Sequence, residues 1–256
     1  MADSQEAGRN PPPPVLEGRI SVEAAIHGGW RSIHEIYVAC SSGKSRQAQG
    51  RLSRLATEAG ISLRVVERER IDELATGRTH GGVVALVGER RFLALDEMLT
   101  RVGPTPFLVM IDGVEDPYNF GSALRSVYAA GAGGLLLRPR NWLSATAVVA
   151  RASAGASEML PAAIADDLES AANVCRGAGL TVVVADEEAE MSLYDADLTG
   201  PLLLIVGGEH RGVTRSFRAE DMSRVRVPYA RGDARSLGTA ATAAVLAFEI
   251  LRQRLP

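Results

Sequence analysis

The sequence has few of the residues that usually hold metal ions or disulfide bonds. It contains two cysteines, Cys40 and Cys175, far apart in the chain, and four scattered histidines. A disulfide framework or a structural zinc site needs cysteines at short, regular spacings. We therefore predict no disulfide and no metal site, and we interpret both cysteines as small, buried apolar residues.

Long apolar runs and a strong net charge are also absent. No segment approaches the roughly 18 to 20 apolar residues of a membrane-spanning helix, and the first residues do not have the pattern of a secretory signal. We therefore expect a cytoplasmic protein. The net charge of −3 argues against indiscriminate nucleic-acid binding. A local basic face is compatible with this net charge, because phosphate contacts depend on how the basic residues are clustered. Such a cluster is present, since seven arginines fall in the segment from Arg211 to Arg235.

The pattern along the chain predicts a leader, two α/β units and a linker. Four prolines, Pro11 to Pro14, favour an extended chain, so residues 1–15 are predicted to be a disordered leader. A charged turn and the pair Gly103-Pro104 mark a linker over residues 89–104, with a short helix at 95–99. Residues 16–88 resemble a small α/β sandwich, with strands at 36–39, 63–66 and 82–87 and helices at 46–59 and from 21.

The unit of residues 105–256 alternates strands with helices. Its predicted strands are continuous apolar runs, as expected where both faces of a parallel sheet are buried. The pattern therefore predicts an α/β domain built around a parallel sheet. Strands are predicted at 107–111, 134–137, 180–185, 202–206 and 225–227, and helices at 121–130, 145–153, 168–177 and 236–254.

Three loops after these strands are the candidate site, because open parallel sheets bind ligands at the carboxyl ends of their strands. In the first loop, Asn119 suits the N-cap of the following helix, and Gly121 lets a ligand or another chain approach the backbone. Arg125 lies further along the same helix, where it could face an anion near the helix start. Taken alone, these residues are more typical of a plain cap and a surface arginine.

The second loop contains three glycines and one carboxylate. Gly207, Gly208 and Gly212 permit a tight turn with exposed amides, and Glu209 lies among them. The spacing is not the Gly-x-Gly-x-x-Gly fingerprint of dinucleotide-binding folds, and strand 107–111 leads into no glycine-rich turn. Both observations count against a nicotinamide-binding or Rossmann-type fold.

The third loop follows Val227-Pro228 and opens an alanine-rich helix. Ser236 is placed to cap that helix. The small side chains of the helix allow close packing, either inside the core or across a dimer interface.

Taken in this order, the three loops resemble the signature motifs of the SpoU/TrmH RNA methyltransferases, a family of the knotted SPOUT superfamily. The resemblance spans residues 107–255 and includes a family-like segment at residues 153–156. Three ordered motifs are far more specific than any one of them. The first is matched by Asn119, Gly121 and Arg125, the second by Gly207, Glu209 and Gly212, and the third by Val227-Pro228 and Ser236-Leu237.

The front unit resembles the substrate-binding domain of the same family, which is similar to RNA-binding ribosomal proteins. The cue is His80-Gly81-Gly82, close to the family's His-Gln-Gly, from which Gly81 departs. This domain implies an RNA substrate, with ribosomal RNA favoured over transfer RNA.

The resemblance further implies a C-terminal trefoil knot, a homodimer, and S-adenosylmethionine held by the knot loops. It implies methyl transfer to a ribose 2′-hydroxyl. The implied catalytic residues are Asn119, Arg125, Glu209 and Ser236, and the implied cofactor-binding residues are Ile205, Gly207, Gly208, Gly212, Val227, Tyr229 and Leu237.

One position departs from the third motif, since Gly238 stands where the family has asparagine. Losing one hydrogen bond that involves a charge typically costs about 1.5–3 kcal/mol, which is about one to two powers of ten in rate. Three functions therefore stay open: a ribose methyltransferase, which is favoured, a weak or silent RNA-binding paralogue, and a knotted methyltransferase that acts on a base.

Overall fold

The computed structural model describes residues 14–40, 44–138, 146–208, 213, 222–231 and 236–256. In these parts of the chain the strands form two separate sheets, one of four strands and one of six. None of the helices described there is long and apolar enough to cross a membrane.

The front unit is a mixed four-stranded sheet packed against helices. Its elements are β1 (Val15–Glu17), α1 (Arg19–Gly28), β2 (Ile33–Ala39), α2 (Lys44–Glu58), β3 (Leu63–Val66), α3 (Arg68–Leu74) and β4 (Val83–Val87). The strand order is β1-β4-β2-β3, with β4 antiparallel to both β1 and β2, and with β2 and β3 parallel. Leu16, Ile36 and Leu52 belong to the core between the sheet and the helices.

Val15 lies in β1, although it was predicted to belong to the leader. It is paired with Leu86, and the amide of Val87 donates to the carbonyl of Pro14 at 3.0 Å. Proline has no amide donor, but its carbonyl still accepts, so an edge strand can begin directly after a proline run. The predicted end of the leader was therefore wrong at this residue.

The two cysteines differ in their surroundings. Cys175 is buried, as predicted, and burial raises the pKa of its thiol to about 11. Cys40 is exposed, so the prediction was wrong there. It directly follows the last residue of β2, where the chain leaves the sheet.

The second unit is a six-stranded sheet with helices on both faces. Its elements are α4 (Leu95–Arg101), β5 (Phe107–Asp112), α5 (Pro117–Ala129), β6 (Gly134–Leu137), α6 (Thr146–Ala152), α7 (Ala156–Met159), β7 (Ala162–Ile164), α8 (Leu168–Gly177), β8 (Thr181–Ala185), β9 (Leu202–Gly207), β10 (Ser223–Val225) and α9 (Thr239–Arg254). The strand order is β10-β8-β9-β5-β6-β7, and each of these pairings is parallel.

Strand β5 shows why the apolar runs are continuous. Phe107, Val109 and Ile111 belong to the core that includes α5 and α9, whereas Leu108 and Met110 belong to the core that includes α4 and α8. Both faces of the strand are therefore buried. The predicted α/β class with a parallel sheet is confirmed, and the knot stays a prediction because parts of its loops fall outside the described residues.

Candidate active site

The first and second predicted loops meet at one edge of the sheet. β5 and β9 are neighbours, and Asp112 at the end of β5 is paired with Gly207 at the end of β9. A Cβ on Gly208 would come within 2.3 Å of the carbonyl oxygen of Gly113. Glycine is therefore required at position 208 for the two loops to lie in contact.

A buried carboxylate lies at the same edge. Asp112 is 3% exposed, and Arg138, which directly follows β6, donates to its Oδ1 at 3.4 Å. The neighbouring strands β5 and β6 thus end in an ion pair. This pair was not predicted, although Asp112 directly follows an apolar run and an acidic residue in that position is a recognisable signal.

Helix α5 begins earlier than predicted, and Asn119 is not its cap. Asp116 is the N-cap, and its Oδ1 accepts from the amides of Tyr118 at 2.6 Å and Asn119 at 3.3 Å. Pro117 occupies the first helical position, where its missing amide costs nothing. Asp116 and Pro117 therefore determine where α5 begins. Asn119 lies in the first turn of the helix with an exposed side chain.

Gly121 and Arg125 have different roles in α5. A Cβ on Gly121 would come within 2.6 Å of the Cβ of Ala152 and 3.0 Å of the carbonyl oxygen of Val149. The partner that needs this glycine is therefore α6 of the same chain, and not the ligand or the other chain that we predicted. Arg125 is exposed. It lies six residues after Asn119, which on an α-helix is about 9 Å along the axis and about 120° around it.

The third predicted segment also reaches the end of β9. The amide of Leu237 donates to the hydroxyl of Tyr229 at 3.1 Å, so the two described ends of this segment are joined. The hydroxyl of Thr239 donates to the carbonyl of Gly207 at 3.0 Å. The three predicted segments therefore converge on one edge of the sheet.

Gly238, and not Ser236, is the N-cap of α9, so the predicted helix start was wrong. The carbonyl of Gly238 accepts from the amides of Ala241 and Thr242, each at 3.0 Å. Ser236 lies two residues before the cap and is exposed. The departure from the family motif therefore falls at a helix cap, a position where asparagine is among the favoured residues.

The remaining predicted residues differ in what they offer a ligand. The side chain of Ile205 is fully buried in the sheet core, so it contacts no ligand. Val227 is half-buried against the opposite core, whereas Tyr229 and Leu237 are exposed. The predicted residues that lie outside the described parts of the chain are Glu209 and Gly212.

A cavity of about 360 Å³ lies between the front unit and the second unit. Its lining includes Arg31, Arg90 and Glu158 with Leu124 and Val149, and none of the predicted site residues. The converging loops, and not this cavity, hold the motif residues.

Two family models match the chain. Residues 106–248 match the SpoU rRNA methylase family, and residues 15–93 match the RNA 2′-O ribose methyltransferase substrate-binding family. The first match spans more than half of the chain. The chain therefore belongs to the SpoU rRNA methylase family, and the resemblance drawn from the three motifs is confirmed.

Individual relatives agree with this assignment. The chain is 33% identical over 243 residues to a 23S rRNA (guanosine-2′-O-)-methyltransferase RlmB of Shewanella oneidensis, covering 94% of this chain and 97% of that protein. The crystal structure of an RNA 2′-O ribose methyltransferase, 25% identical, matches with a TM-score of 0.72 over 94% of this chain and 88% of that one.

One solved structure with the same fold contains the cofactor. It is the SpoU methyltransferase AviRb from Streptomyces viridochromogenes in complex with AdoMet. This protein is 24% identical, with a TM-score of 0.74 over 94% of this chain and 89% of that one.

Proposed function

We propose that this chain transfers a methyl group from S-adenosylmethionine to a ribose 2′-hydroxyl of ribosomal RNA. The observation that carries the proposal is the convergence of the three motif segments, where Gly208 contacts Gly113 and Thr239 binds the carbonyl of Gly207. Membership of the SpoU rRNA methylase family supports methyl transfer. The name of the Shewanella relative supports a ribose acceptor in 23S rRNA.

The end of β9 has groups that suit S-adenosylmethionine. Gly207 and Gly208 present backbone without side chains, and the exposed Tyr229 and Leu237, joined by a hydrogen bond, offer apolar surface to an adenosine. We assign the cofactor to these residues, together with Val227, the backbone around Ile205 and, by the motif match, Gly212. The bound cofactor would supply an electrophilic methyl group on a sulfonium centre.

Arg125 is proposed to bind an RNA phosphate next to the reacting ribose. A guanidinium keeps its proton in proteins, so we do not assign Arg125 as the base. Its charge favours the ionised hydroxyl, whose proton would pass to solvent, and the transfer would leave S-adenosylhomocysteine as the second product. Its exposed position on α5 allows contact with RNA. We propose that Asn119, Glu209 and Ser236 orient the ribose and the arginine, since positioning alone contributes several kcal/mol.

The front unit is proposed to bind the RNA. We propose a division into residues 15–88 for RNA binding, 89–104 as a linker and 105–256 for methyl transfer, after a leader of residues 1–14. The ranges of the two family models support this division. The match to the substrate-binding family and the relative named for 23S rRNA favour ribosomal over transfer RNA as the substrate. We expect an enzyme that modifies bacterial-type ribosomal RNA to act in the cytoplasm.

A second copy of the chain is the partner that we propose for the outer surface of α5 and α9. These two helices pack against each other, and Tyr118 of α5 and Phe248 and Leu255 near the end of the chain stay exposed. Large apolar side chains exposed on adjoining elements are typical of an interaction surface.

The proposed reaction is tested with radiolabelled S-adenosylmethionine and ribosomal RNA from a strain that lacks the gene. We expect label in 23S rRNA, and mass spectrometry of a nuclease digest should place the methyl group on a ribose. A methyl group on a nucleobase would instead support the base-modifying alternative.

Calorimetry with S-adenosylmethionine can exclude the enzyme, but binding of the cofactor does not by itself exclude a silent paralogue. Absence of cofactor binding would contradict the proposed reaction. Binding without transfer to any ribosomal or transfer RNA would favour the RNA-binding paralogue, which Gly238 motivates.

A further inference from the structure

A buried carboxylate of the front unit faces an arginine of the second unit. Glu17 is 0% exposed. Its Oε1 accepts from the amide and hydroxyl of Thr76, each at 2.6 Å, and from the amide of Gly77 at 3.0 Å. Its other oxygen pairs with the guanidinium of Arg151, in α6. The contact therefore ties β1 to α6.

A second buried pair crosses the same boundary with the charges reversed. Arg31 of the front unit donates from Nε and Nη2 to the two carboxylate oxygens of Glu158, in α7, at 2.8 and 3.1 Å. The side chains are 4% and 2% exposed. Arg90 lies 3.9 Å from the same carboxylate and donates to the carbonyls of Ser157 and Leu160. Burial lowers the pKa of Arg90 to about 10.

The backbones of the two units also approach closely at this boundary. A Cβ on Gly28, the last residue of α1, would come within 1.9 Å of the carbonyl oxygen of Glu158. A Cβ on Gly155 would come within 2.5 Å of the Cβ of Ala24. Two glycines thus allow α1 to lie directly against α7, and the ion pairs fix the position of that contact because a displaced partner would leave a buried charge unpaired.

The segment that the front unit contacts, α6 and α7, also packs against α5, the helix that carries Arg125. α6 and α7 both pack against α5, and Gly121 of α5 has Ala152 of α6 within contact distance. Residues 146–159 therefore lie between the front unit on one side and α5, with Asn119 and Arg125, on the other.

We infer that Arg151 and Glu158 are positioning residues, through which the docked front unit holds α6 and α7 against α5 and so sets the positions of Asn119 and Arg125. The inference rests on the proposed function. It gives the front unit a role in the chemical step in addition to RNA binding.

Three variants of the full chain test this role. Arg151→Met removes the charge and keeps an unbranched side chain, Arg151→Lys keeps the charge, and Glu158→Gln removes the carboxylate with little change of shape. Glu73→Gln is the matched control, because Glu73 forms an exposed pair with Arg70 in the same front unit.

We expect Arg151→Met and Glu158→Gln to lower kcat at saturating RNA and cofactor by about tenfold or more, since small misplacements near a reaction centre are costly. The KM for RNA and the affinity for S-adenosylmethionine should change by less than about threefold. Arg151→Lys should recover most of kcat, and Glu73→Gln should behave as wild type. Hydrogen exchange of residues 117–129 should be faster in the two impaired variants.

Several results would overturn the inference. One is an unchanged kcat in both charge-removing variants, and another is a raised KM for RNA with an unchanged kcat, which would limit the front unit to RNA binding. If Glu158→Gln does not fold, the comparison of Arg151→Met with Arg151→Lys decides. If the wild type methylates no RNA, the proposed function fails, and hydrogen exchange of α5 still shows whether the coupling exists.

Discussion

Gly238 can be assessed from its position at the N-cap of α9. Its φ of −60° and ψ of 154° are accessible to asparagine, and asparagine caps helices better than glycine by a few tenths of a kcal/mol. We expect Gly238→Asn to raise the melting temperature by about 1 °C and to change the methyl-transfer rate by less than about threefold, because the new side chain would bind the helix amides.

Gly238→Ala is the control for this prediction, since alanine provides no capping group and should not stabilise the helix. Thermal unfolding and the rate on an RNA that the wild type already methylates are the two measurements. A tenfold gain in rate for Gly238→Asn would contradict the prediction and show that the glycine is a handicap for catalysis.

Substitution of Arg125 is the most direct single-residue test of the proposed site. Because Arg125 is exposed on α5, Arg125→Ala should leave the fold and the binding of S-adenosylmethionine nearly intact. We expect methyl transfer to fall below detection, because the proposed phosphate contact and its charge are lost. Calorimetry and transfer of radiolabelled methyl groups measure the two properties, and full activity would remove Arg125 from the site.

At the scale of elements, the contact between α5 and α6 depends on Gly121. Its added Cβ would lie 2.6 Å from the Cβ of Ala152, so Gly121→Ala must move one helix. We expect a destabilisation of about 1–3 kcal/mol, which lowers the melting temperature by several degrees, and a slower methyl transfer.

Gly177→Ala is the matched control for that substitution. Gly177 is the last residue of α8, and a Cβ there meets nothing within 4 Å. Alanine is favoured over glycine in a helix, so this variant should be as stable as the wild type or slightly more. Equal melting temperatures of the two variants would show that the α5–α6 contact tolerates a methyl group.

Long or fully buried elements of the second unit could be predicted from the sequence, and short ones could not. β6 and α8 have the predicted bounds, because burial on both faces or a clear helical period marks them. β7 was not predicted, since a run of three residues is too short to show a period. β10 was predicted at 225–227 but begins at the polar Ser223 and the exposed Arg224.

The front unit shows the same limit. β1 has three residues after the proline run, and its pairing with β4 comes from contacts that lie far away in the sequence. α3 is mostly charged, with Ile71 as its buried residue, so its helical face carries too little apolar pattern to be recognised. Neither element was predicted.

At the scale of the whole molecule, the motif order predicted which loops belong together, but not the contacts that hold them together. That β5 and β9 are neighbours follows from the strand order of the folded sheet, which the apolar runs do not encode. The ion pairs Glu17–Arg151 and Arg31–Glu158 join residues 134 and 127 positions apart. No local pattern marks such pairs, because each partner alone looks like an ordinary surface charge.

The proposed dimer gives a prediction for the whole molecule. The measurement is the molar mass, by light scattering, of the protein eluting from a size-exclusion column. Phe248 on α9 and Val174 on α8 are similarly exposed, at 48% and 46%, but only Phe248 lies on the proposed interface. We expect Phe248→Asp to give monomers, because a buried, unpaired carboxylate opposes association, and Val174→Asp to stay dimeric. A wild type that is monomeric at micromolar concentration, or a dimer lost equally in both variants, would contradict the assignment of this surface.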